Sequence, residues 1–161
     1  MVKFLDLHAQ YISIKDEIDL EIKSVISKSS FIGGQYVEDF EKSFANYQQA
    51  NFCVGVGNGT DALEIAIEAL DLPNGSEIIV PANSFISSAE AVTRCGHKIV
   101  FCDINRDDYT INIKDLKSRI TSETSAIIAV HLYGHPCDFD SLITIAKKHN
   151  LYVIEDAAQA H

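Results

Sequence analysis

The sequence predicts an α/β fold, a mostly parallel sheet with helices on both faces. Three observations carry that prediction. From Asn51 onward, short apolar runs alternate with stretches of helical periodicity, the pattern that right-handed crossovers turn into a parallel sheet. The runs are apolar at consecutive positions, as in Leu151-Tyr-Val-Ile154, rather than at every second one, which fits strands covered by helices on both sides. Several runs end in glycines, proline or acids, at the sheet edge where open α/β folds bind ligands.

The 161 residues are enough for a domain with a real core, and the balance of 47% hydrophobic and 22% charged residues is that of a globular protein. A net charge of −10 argues against nucleic acid or an anionic membrane surface as the main partner, since both need clustered Lys and Arg. No apolar run approaches a membrane span, and Met1-Val-Lys-Phe-Leu-Asp lacks the apolar core of a signal peptide. Cys53, Cys95, Cys102 and Cys137 show no CxxC spacing; disulfides stay open, with free thiols in a reducing cytoplasm the simpler expectation.

In chain order, Ile14, Ile18, Ile22, Val25 and Ile26 recur at helical spacing and predict a helix over 11–27. Gly33-Gly34 breaks it. A second helix starts near Tyr36, with Val37, Phe40, Phe44 and Tyr47 on one stripe. Residues 1–50 therefore read as a helical arm that packs on something else, such as a partner subunit. Residues 51–161 read as part of a ligand-binding domain. Its predicted strands are 52–56, 77–80, 98–102, 126–130 and 151–154. Its predicted helices are 60–70, 84–94, 113–119 and 138–149. The chain stops directly after a strand with no closing helix, so the domain is expected to be partial.

The chemistry-bearing stretches sit at strand ends. Gly55-Val-Gly-Asn-Gly59-Thr60 joins a strand to a helix, where free N–H groups and the positive dipole end suit a phosphate. It is neither a P-loop nor a dinucleotide fingerprint, and a capped tight turn is an equal reading. Pro81-Ala-Asn-Ser84-Phe85 offers Ser84 as an N-cap and Phe85, in the first helical turn, as an aromatic shelf for a planar ligand; core packing of Phe85 is the alternative. His131, His135, Cys137 and Asp138 fall together in sequence, but Gly134 and Pro136 rule out a two-His helical face, and a turn with Asp138 capping the next helix is simpler than a metal site. Asp156 ends the last strand. A carboxylate there, with a phosphate site and an aromatic shelf nearby, suits a pyridinium ring bearing a phosphate, with Gln159 donating to the ring's phenolic oxygen. A capping or ion-paired acid is the other reading of Asp156.

Five stretches occur in the order seen in one family: Phe4-Leu-Asp-Leu7, Gly57-Asn-Gly-Thr-Asp-Ala-Leu63, Val80-Pro-Ala-Asn-Ser-Phe85, Val130-His-Leu-Tyr-Gly134 and Glu155-Asp-Ala-Ala-Gln-Ala-His161. Together they resemble the DegT/DnrJ/EryC1/StrS sugar-nucleotide aminotransferases, over essentially the whole chain. The resemblance implies the N-terminal part of a fold-type I large domain that binds pyridoxal 5′-phosphate (PLP). It implies amino transfer, usually from glutamate, to a nucleotide-linked keto-sugar in amino-sugar biosynthesis, for surface polysaccharide or a related glycoside, in a cytoplasmic homodimer. On the matching motifs, Gly59 and Thr60 would hold the phosphate, Phe85 would stack on the ring, Asp156 would pair with the ring nitrogen, and Gln159 would face the ring oxygen. The family's Schiff-base lysine lies beyond the Asp-x-x-Gln motif, in a segment these residues do not include. Lys98, Lys114 and Lys147 do not match it, so the chain alone is expected to be inactive. Two other readings stand beside this one: a PLP-dependent sugar dehydratase of the same fold, and a non-catalytic interaction module.

Overall fold

A computed structural model describes residues 4–161. The chain divides into two compact units, one ending at Gly55 and the other spanning Val56–His161.

The first unit is helical. Helix α1, Leu7–Ser27, starts where the Asp6 carboxylate accepts the Ala9 N–H at 3.1 Å. Lys15 pairs with Asp19 one turn on, and the Tyr11 hydroxyl donates to Asp19 at 2.9 Å. No residue of α1 is buried; the predicted stripe of Ile14, Ile18, Ile22 and Ile26 is exposed along its length. Helix α2, Gln35–Tyr47, stacks Phe40 on Phe44 with centroids 5.5 Å apart and buries Ala45.

The strand predicted at 52–56 does not form. Phe52 and Val54 are 87% and 73% exposed, and the Gly55 N–H donates to the Glu41 carboxylate at 2.7 Å instead of joining a ladder. An apolar run without a neighbouring strand has nowhere to satisfy its backbone groups as a strand.

The second unit is the α/β part. Its elements are α3 (Gly59–Ala69), β1 (Glu77–Pro81), α4 (Ile86–Arg94), β2 (Lys98–Cys102), α5 (Ile113–Arg119), β3 (Thr124–Val130), a 3₁₀ turn (Leu132–Gly134), α6 (Phe139–His149) and β4 (Tyr152–Asp156). The four strands pair in parallel, in the order β2-β1-β3-β4. The strand pleat distributes side chains to two cores. Ile78, Val80, Ala126 and Ile128 meet Leu63 and Ile67 of α3 and Val92 of α4 on one face. Ile79, Ile127 and Ala129 meet Leu116 of α5 and Leu142, Ile145 and Ala146 of α6 on the other. The fold class is therefore the expected one: a parallel sheet with helices on both faces.

Two boundaries shift for physical reasons. Helix α4 has Phe85, not Ser84, at its N-cap position, because the Ser84 hydroxyl donates back to the Pro81 carbonyl at 3.2 Å. Strand β4 is less covered than its sequence suggests, with Tyr152 53% exposed. It is the outer strand of the described sheet, bonded on one side only to β3. Asn150 ends α6 in the left-handed conformation (φ 56°), which Asn tolerates better than most residues.

Candidate functional site

The carboxyl ends of β3 and β4 and the starts of α3 and α4 open onto one cavity of about 360 Å³. All five sequence-nominated residues, Gly59, Thr60, Phe85, Asp156 and Gln159, line it.

At one end, the Asn58 side chain accepts the Asp61 N–H at 3.0 Å and its carbonyl accepts the Ala62 N–H at 3.1 Å. The first-turn N–H groups of Gly59 and Thr60 precede any intrahelical acceptor, so they are left for a ligand. The Thr60 hydroxyl donates to Ser87 Oγ at 2.9 Å, which links the start of α3 to α4. Gly57 lies close under the Asp61 carboxylate: a Cβ there would sit 2.7 Å from it and push that side chain aside. The result is a cluster of donors with a positive dipole end and no lysine on the cavity wall.

At the other end, Asp156 is the last residue of β4 and is half-buried. Its Oδ1 accepts the Ala158 N–H at 3.2 Å, and its Oδ2 accepts a long hydrogen bond from Ser88 Oγ at 3.4 Å. Among the described residues no Lys, Arg or His pairs with it. Its charge thus faces the cavity with spare acceptor capacity. Gln159 Oε1 accepts the Tyr133 N–H at 2.6 Å, which fixes the amide orientation and leaves Nε2 as the donor it can offer. Gly134 permits this approach: it has φ +80°, and a Cβ would sit 2.9 Å from the Gln159 carbonyl. Phe85 is 74% exposed and packs into neither core, so its ring is available as a wall.

His131 does something the sequence did not suggest. Its Nδ1 accepts the Cys137 N–H at 3.2 Å, and its Nε2 lies 2.7 Å from the Glu155 carboxylate. Both ring nitrogens are therefore used, leaving none for a metal. Asp138 caps α6 by accepting the Ser141 N–H at 3.2 Å. Among the described residues no three His, Cys, Asp or Glu side chains converge as a metal site. Only the neighbouring carboxylate run Glu155-Asp156 could have hinted at the His131 contact, and it named no partner. The four cysteines are free thiols; burial pushes Cys102 up to about 12 and Cys137 up to about 11.

Residues 12–161 match the DegT/DnrJ/EryC1/StrS aminotransferase family. The chain is 44% identical over its whole length to a dTDP-3-amino-3,6-dideoxy-alpha-D-galactopyranose transaminase of Aneurinibacillus thermoaerophilus, covering 44% of that protein. Among solved structures, DesV of S. venezuelae superposes with a TM-score of 0.96 at 40% identity, over 99% of this chain and 43% of that one. NtdA of Bacillus subtilis, with bound cofactor PMP, superposes with a TM-score of 0.88 at 35% identity, over 91% of this chain and 34% of that one. The chain thus spans less than half the length of the relatives it matches.

Proposed function

The chain belongs to the DegT/DnrJ/EryC1/StrS aminotransferase family, and from that premise we propose that it is the cofactor-cradling part of a nucleotide-sugar aminotransferase that uses pyridoxal 5′-phosphate. One observation carries the reading: an anion cradle at Gly59–Thr60 and the carboxylate of Asp156 line the same cavity. A phosphorylated pyridine needs those two opposite features within one small volume.

The residues present fit that group. When bound, the cofactor supplies an electron sink conjugated to the amino-transfer carbon. The chain's own residues do the rest. The Gly59 and Thr60 N–H groups donate to phosphate oxygens, helped by the dipole of α3, and the Thr60 hydroxyl joins them by turning its proton from Ser87 Oγ to the phosphate. Phe85 covers a ring face and excludes water from it. Asp156 holds a proton at the ring nitrogen by a charge-assisted hydrogen bond. The Gln159 amide Nε2 donates to the ring's phenolic oxygen. Among the described residues no lysine lines the cavity, so none of its walls offers the amine that would carry the cofactor covalently.

The acceptor substrate is a keto-sugar linked to a nucleoside diphosphate, and glutamate is the amino donor. The long apolar stripe of α1 supports a homodimeric assembly. Among the described residues no helix is long and apolar enough to cross a membrane, in keeping with a cytoplasmic enzyme. Pyridoxamine 5′-phosphate (PMP) binding, followed by fluorescence, tests the reading without needing the lysine. The wild-type protein is expected to bind it, and Asp156→Ala to weaken binding by about 10- to 100-fold, the loss of one charge-assisted hydrogen bond. A protein that takes up neither PLP nor PMP overturns the assignment.

A further inference from the structure

We propose that His131 and Glu155 form a positioning pair that aims the Asp156 carboxylate at the cofactor ring nitrogen, an inference that rests on the function reading above.

His131 is the first residue after β3 and only 5% exposed. A buried imidazole needs partners for both nitrogens. Because Nδ1 accepts the Cys137 N–H, the proton sits on Nε2, and Nε2 donates to Glu155 Oε1 at 2.7 Å. The backbone of the same residue makes a second tie: the His131 N–H donates to the Asp156 carbonyl at 3.1 Å. One residue of β3's end therefore grips two consecutive residues of β4, one through its side chain and one through its main chain. The Phe139 ring meets the imidazole edge-on at 6.0 Å and limits its rotation.

This grip sits where the sheet most needs it. Val130 opposite Asp156 is the last registered pair between β3 and β4, and β4 is the outer strand of the described sheet. The Asp156 carboxylate itself is held only by contacts of 3.2 and 3.4 Å. Its direction thus depends on the backbone that carries it. Side chains alternate along a strand, so anchoring Glu155 on one face sets the rotation of the strand and points Asp156 to the other. Loosening the strand end would let the carboxylate drift from the ring nitrogen, and a charge-assisted hydrogen bond weakens steeply with distance and angle.

Two readouts test the pair, using PMP labelled with ¹⁵N at the ring nitrogen as probe. His131→Phe and Glu155→Leu are each expected to raise the PMP dissociation constant by about tenfold and to move the ring ¹⁵N shift toward the unprotonated value. His131→Gln keeps a donor in reach of Glu155, and Glu155→Gln keeps an acceptor; both are expected to recover most of the loss. If His131→Phe fails to fold, Glu155→Leu with its Glu155→Gln control decides alone. Wild-type affinity and ¹⁵N shift in Glu155→Leu would overturn the positioning role and leave a fold contact. A purely structural role would change thermal stability while leaving the ¹⁵N shift in place. Wild-type protein that binds no PMP overturns the function reading and the pair with it.

Discussion

The two units of the chain use similar apolar content in opposite ways. Among the described residues up to Gly55, only Ala45 is buried, although α1 carries Ile14, Ile18, Ile22 and Ile26 on one stripe. In Val56–His161, two apolar layers close completely around β1 and β3. A helix satisfies its backbone internally and can stand with its stripe uncovered, helped by length, an Asp6 cap and the Lys15–Asp19 pair. A strand has no such independence. The run at 52–56 is as apolar as the strands that formed, yet among the described residues it pairs with no strand.

The largest test of that contrast is a matched pair of deletions. Ile128→Ala empties a fully buried position on β3 and is expected to cost about 2–5 kcal/mol in urea unfolding. Ile18→Ala, at a side chain 40% exposed, is expected to cost less than about 1 kcal/mol. Comparable losses would show that the α1 stripe is covered in the native assembly, as a dimer would cover it. That outcome would break the contrast while supporting the proposed partner subunit.

Thiol chemistry sharpens the same contrast without emptying a core. Cys102 and Cys137 lie in the closed layers, and burial raises their pKa values to about 12 and about 11. Cys53 sits in the first unit and is partly accessible. At pH 8, a maleimide reagent is expected to label Cys53 at least about tenfold faster than either, because thiolate fraction and access both favour it. Equal rates would mean the second unit opens as readily as the first.

Much of the second unit was legible in the sequence because its signals are local. Consecutive apolar residues marked the buried strands, and spacing of three and four marked α3 and α6. The site residues were legible for a related reason: glycine turns and strand-end acids break the apolar pattern where ligands bind, so Gly59, Thr60, Phe85, Asp156 and Gln159 stood out and line one cavity. What stayed hidden depends on pairing across the fold. Nothing local announces that His131 meets Glu155 or that Gln159 accepts from Tyr133. Likewise, Leu151-Tyr-Val-Ile154 carries the composition of a covered strand. Only the sheet order shows that it is bonded on one side.

The smallest effect concerns a surface carboxylate that ties α5 to the end of β2. Asp115 Oδ2 accepts the Asp103 N–H at 2.8 Å and pairs with Arg119 at 3.2 Å. The Asp103 hydrogen bond, ahead of the Arg119 contributions, holds the Asp115 carboxyl below its ordinary range. A carboxyl whose pKa is lower folded than unfolded adds stability that is fully present above the unfolded value and fades as pH falls through the folded one. Asp115→Ala is therefore expected to cost about 1 kcal/mol at pH 7, and the gap to wild type should close as the medium is acidified below about pH 4. Urea midpoints measured across that range check it. A gap that stays constant with pH would show that the contribution of Asp115 does not come from its charge, and would make this edge of the second unit as indifferent to its partners as α1.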